Sequence, residues 1–112
     1  PRNPVKAVNA VRDSGGTMID VSDEEILSAM RLLGRTAGVF GEPAGVAGLA
    51  GLARAVREGI IDSSASACAI VTGNGLKDIQ TGIRAAGEPI TIPPDIALLE
   101  RELARVAPSV LS

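Results

Sequence analysis

The side chains best suited to chemistry gather in one stretch, Thr72-Gly73-Asn74-Gly75-Leu76-Lys77-Asp78, directly after the apolar run at 68–71. Such a run reads as a strand buried on both faces, and ligands of open parallel sheets sit beyond the carboxyl ends of the strands. A threonine hydroxyl there can donate or accept one hydrogen bond, and glycines let backbone amides approach a ligand closely. A tight strand-to-helix connection with Asn74 or Gly75 in a left-handed conformation would use the same residues. Spacing alone leaves both readings open.

Other candidates are weaker. Lys6 and Lys77 are the only lysines. A nucleophilic amine needs a sequestered, apolar site, and nothing around Lys77 provides one, so a solvated lysine beside Asp78 is expected. Glu42-Pro43-Ala44-Gly45 could aim a helix N-terminus at a ligand through its amides and dipole, or could serve packing alone. Asp23, Glu24 and Glu25 are accounted for as first-turn acids that complement a helix dipole. Cys68 reads as a packing residue inside the buried run. As the sole cysteine it excludes an internal disulfide and fits a reducing compartment. The sequence has no histidine, which removes the commonest metal ligand and general base. No catalytic residue and no metal are assigned.

Net charge is −2 and Phe40 is the only aromatic. Without a basic stripe or stacking platform, nucleic-acid binding is not expected. The longest apolar run, 43–53, is about half of the ~20 residues that span a bilayer, and the start lacks an apolar signal region. A cytoplasmic protein with no membrane segment is expected. The chain opens on proline and Asn3-Pro4 already looks like a helix entry, so a truncation is expected before it.

These residues are positioned by an alternation of elements. Asn3 as N-cap and Pro4 at the first helical position start a helix that Ser14-Gly15-Gly16 ends. Residues 17–21 are short and β-branched and read as a strand. Ser22-Asp23-Glu24-Glu25 is a capping box with Val21 and Ile26 placed as a hydrophobic staple, and its helix stops at Gly38. Pro43 opens another helix, closed near Gly59, whose Gly45, Gly48 and Gly51 each cost about 1 kcal/mol against alanine. Close approach of another backbone or a ligand is the expected reason. A short helix over 78–86 follows the glycine corner. Residues 90–92 are a possible third strand, and Asp95 caps a final amphipathic helix. The order predicts an α/β fold, with helices packed on a partial parallel sheet.

Read in order, PRNPVKAVNAVRDSGG, VSDEEILSAMRLLGRTAGVFGEPAGVAGLAGL, REGIID and VTGNGLKD resemble the threonine synthases, pyridoxal-phosphate enzymes of the fold type II, tryptophan-synthase-like group. The matches fill residues 1–87, leaving 88–112 as an extended segment and amphipathic helix. Glu-Pro-Ala-Gly is shared with threonine and serine dehydratases; TGNGLKD points to threonine synthase. The resemblance implies pyridoxal 5'-phosphate as cofactor and conversion of O-phospho-L-homoserine and water to L-threonine and phosphate, with the cofactor as electron sink. It implies that Thr72 hydrogen-bonds the cofactor's pyridine nitrogen and that Gly73 and Gly75 let the chain pass close to the ring. The family's Schiff-base lysine, phosphate-cradling loop and substrate-phosphate residues have no counterpart here, and Lys77 matches a non-catalytic lysine. A C-terminal piece of the enzyme, inactive alone and homodimeric, is therefore expected. A dehydratase or cysteate-synthase-like reaction, or a stand-alone binding or assembly module covered by self-association, are the competing readings.

Overall fold

The computed structural model describes residues 3–106. Helix α1, Pro4–Ser14, begins where the sequence predicts, with the Asn3 side chain accepting from the Lys6 amide at 3.0 Å. Helix α2, Asp23–Ala37, carries the full capping box. The Ser22 amide donates to Glu25 Oε2 at 2.9 Å and the Glu25 amide donates to Ser22 Oγ at 3.3 Å. Its end at Gly38 is left-handed, φ 65°, a conformation that glycine enters without steric cost.

Helix α3, Pro43–Arg57, follows after a five-residue strap, 38–42. A single 3-10 turn, Gly75–Lys77, leads into α4, Ile79–Ala86, where Asp78 Oδ1 accepts from the Thr81 amide at 3.1 Å. In α5, Ile96–Val106, Asp95 Oδ1 likewise accepts from the Leu98 amide at 3.1 Å. Residues 107–112 of the expected C-terminal extension lie outside the described residues.

One small core holds α2, α3 and α4 together. Leu27, Ala29 and Met30 of α2 meet Val46 and Ala50 of α3 and Ala85 of α4, and Val21, Ile26, Leu33, Leu49 and Val71 pack around them. The interior is lined by small side chains, so helices must approach closely to exclude water. Polar ties brace the same contacts: Arg31 Nη1 donates to the Ala85 carbonyl at 3.2 Å, and Arg57 pairs with Glu25 at 2.6 Å. Helices α1 and α5 contribute no buried residue. The radius of gyration is 18.3 Å, against about 13 Å for a closed domain of this length.

The strand expectations need correction. Among the described residues there is no strand: 17–21, 68–71 and 90–92 carry no ladder, and the expected partial parallel sheet is absent. A strand is defined by hydrogen bonds to a neighbouring strand, and no such neighbour lies beside these segments. Met18, Ile70 and Ile90 are accordingly 59%, 78% and 52% exposed. Cys68, expected in the buried run, is exposed for the same reason. The helical half of the α/β expectation stands.

Candidate functional site

The strap before α3 and the corner at 72–75 are joined by one antiparallel bridge. The Glu42 amide donates to the Gly73 carbonyl and the Gly75 amide donates to the Phe40 carbonyl, both at 2.9 Å, so that Gly41 faces Asn74. Two such bonds fix both ends of a three-residue corner. The Asn74 side chain then accepts from the Leu76 amide at 2.9 Å and starts the 3-10 turn.

Four glycines let the two segments meet. A Cβ at Gly41 would lie 2.5 Å from Val46 Cγ2 and 2.7 Å from Val71 Cγ1. One at Gly45 would lie 2.8 Å from the Gly73 nitrogen, one at Gly73 would overlap the Glu42 carboxylate, and one at Gly75 would overlap the Phe40 ring. The close backbone approach expected of the α3 glycines is thus real at Gly45. At Gly48 and Gly51 a Cβ would meet nothing within 4 Å. Those two border an open apolar groove of about 530 Å³ with Ile19, Val21, Leu52 and Ile61.

The left-handed conformation expected of a tight connection is absent at this corner. Asn74 has φ −80°, and Gly75 is not among the positive-φ glycines. No left-handed residue turns the chain here. The absence of side chains at Gly73 and Gly75 leaves room for the Glu42 carboxylate and the Phe40 ring. At the start of α3, the Gly73 backbone occupies the position where a ligand was one of the two alternatives.

Thr72 is exposed at the edge of a braced backbone corner. Lys77 is exposed too, and its Nζ donates to Glu42 Oε1 at 3.0 Å. Asp78 is engaged in capping α4. The Thr81 amide bond is the main reason its carboxyl lies below the ordinary carboxylate range. The acids at 23–25 fill the first turn of α2. Glu25 bonds Ser22 and Arg57 and has Arg54 3.8 Å away. Among the described residues no group of three or more acidic or thiol side chains could hold a metal ion. No described helix is long and apolar enough to cross a membrane.

The family of pyridoxal-phosphate dependent enzymes matches residues 1–73, well over half of the chain and ending at the corner itself. This chain belongs to that family. Within it, the chain is 47% identical over 103 residues to the threonine synthase of Methanocaldococcus jannaschii, covering 92% of this chain and 25% of that one. It is 44% identical over 96 residues to the threonine synthase of Methanosarcina acetivorans, covering 86% and 24%. To that of Mycobacterium tuberculosis it is 39% identical over 102 residues, covering 90% and 28%. The chain therefore spans about a quarter of the length of these relatives. The resemblance seen in the ordered motifs is borne out, and with it pyridoxal phosphate as the cofactor of the family.

Sequence reasoning missed the partners of the corner. The sequence marked Phe40 only as the sole aromatic, Glu42 as part of a helix start and Lys77 as a solvated side chain. The available signal was the Phe-Gly-Glu before Pro43: the sole aromatic and a glycine beside an acid, which is not among the preferred N-cap residues.

Proposed function

We propose that the polypeptide carrying this chain is a threonine synthase, converting O-phospho-L-homoserine and water to L-threonine and phosphate. The observation that carries the proposal is 47% identity over 103 residues to a threonine synthase, across nearly the whole chain. When bound, pyridoxal phosphate supplies an electron sink for charge developing on substrate carbons.

In this reading Thr72, Gly73 and Gly75 form this chain's side of the cofactor site. The Thr72 hydroxyl holds the pyridine nitrogen as a neutral partner, and Gly73 and Gly75 let the chain pass close to the ring. The exposure of Thr72 and the two backbone bonds that brace its corner support this assignment. A single uncharged donor-acceptor suits a ring nitrogen better than a phosphate, which takes cations or clustered amides. Residues 1–87 carry the ordered enzyme motifs, and 88–112 form a C-terminal extended segment and amphipathic helix.

The 112-residue chain is inactive alone in this reading, because Lys77 is paired with Glu42 and neither lysine is sequestered. A homodimer in the cytoplasm belongs to the same proposal. The exposed Val5, Val8, Ile96 and Leu99 of α1 and α5 support self-association.

The test is to supply the longest natural polypeptide containing this sequence with pyridoxal phosphate and O-phospho-L-homoserine. Threonine and phosphate should appear in equal amounts. Release of ammonia and 2-oxobutyrate from threonine, with no phosphate from phosphohomoserine, would replace this reading with a dehydratase.

A further inference from the structure

We propose that Glu42 is a positioning residue whose carboxylate, held by Lys77, clamps the backbone corner that presents Thr72. Glu42 occupies the N-cap position of α3, where a side-chain oxygen ordinarily accepts from a first-turn amide. It makes no such bond. Its carboxylate turns the other way and fills the space that a side chain at Gly73 would need. There it meets Lys77, whose Nζ lies 3.0 Å from Oε1 although the two residues are 35 positions apart.

The pair straddles the corner. Glu42 grips its first half, through its own amide bond to the Gly73 carbonyl at 2.9 Å. Lys77 belongs to the 3-10 turn that begins at Gly75 and so anchors the second half. The carboxylate is mostly shielded, with 17% of its side chain exposed against 64% for Lys77. The shielded carboxylate thus faces an exposed lysine that keeps part of its hydration. The result is a segment at 73–75, directly after Thr72, that is braced at both of its ends. Lys77 acts here through Glu42 and touches no ligand.

The functional consequence rests on the cofactor reading of Thr72, but the clamp can be tested without cofactor. Residue-resolved amide hydrogen exchange on the 112-residue chain reads the Glu42 and Gly75 amides, which close the bridge, against amides of α2 as an internal control. In Lys77→Met and in Glu42→Gln, the two bridge amides should exchange about two- to fivefold faster while α2 is unchanged. The double variant should be no faster than either single one, and Lys77→Arg should restore slow exchange. Unchanged bridge amides in both single variants would overturn the clamp, as would equal acceleration of bridge and α2. Lys77→Met alters an exposed side chain, so it keeps the test decisive if Glu42→Gln unfolds. Failure here would leave the Thr72 assignment standing, and failure of that assignment would leave the exchange result intact.

Discussion

Gly45 packs so closely against Gly73 that a methyl group on it would stand 2.8 Å from the Gly73 nitrogen and 3.2 Å from its carbonyl oxygen. The atoms it would strike are backbone, braced by the bridge to residues 40–42, and cannot swing aside. Gly45→Ala should therefore destabilise the chain, since overpacking of about 1–3 kcal/mol exceeds the helix gain of about 1 kcal/mol. Gly48→Ala and Gly51→Ala meet open space and should each stabilise it by up to about 1 kcal/mol. Urea unfolding followed by circular dichroism separates the two outcomes. A stabilising Gly45→Ala would refute the contact.

The core is small enough that one residue matters. Leu27 is buried between α2 and its neighbours, whereas Leu32 on the same helix is 44% exposed. Leu27→Ala should cost about 2–5 kcal/mol and leave little folded chain. Leu32→Ala should change stability by about 0.5 kcal/mol or less. Equal losses would mean that α2 buries a different face.

Glu25 makes the helix pair pH-sensitive. The Ser22 amide bond first, and the Arg57 bond second, lower its pKa from the ordinary 4.5 to about 2. A depressed carboxylate stabilises the folded state fully above its unfolded value, and that contribution is lost as pH falls through the folded value. Stability should thus decline between pH 4.5 and about 2. A carbon-detected titration of the Glu25 carboxyl should give the low midpoint, and Glu25→Gln should flatten the stability profile across that window. A midpoint near 4.5 would show that the capping box is open in solution.

Lys77 should not capture the cofactor. It is exposed and occupied by Glu42, while Schiff-base lysines are activated by desolvation or a neighbouring cation. Pyridoxal phosphate added to the chain, followed by borohydride, should leave Lys77 without a stoichiometric adduct in peptide mass spectra. A full adduct there would overturn the non-catalytic assignment.

Local rules carried the helices. Ser22 with Glu25, Asn3 with Pro4, and Asp78 before Ile79 specify helix starts through hydrogen bonds spanning three residues, and those bonds form wherever the rest of the chain lies. The segments at 17–21 and 68–71 also have strand-like composition, but a strand needs a neighbour, and composition cannot supply one. That is why Ile70 and Cys68 stand exposed where burial was expected.

The sequence by itself determined where helices begin and end and, through the ordered motifs, the enzyme family, and it singled out the corner at Thr72 as a candidate. Only the tertiary structure decided what holds that corner. The pairing of Glu42 with Lys77, the Phe40 ring over Gly75, and the distinction between Gly45 and its neighbours Gly48 and Gly51 all join residues far apart in sequence. Periodicity and capping describe bonds a few residues long, and no such rule says which distant backbone will lie against a given glycine.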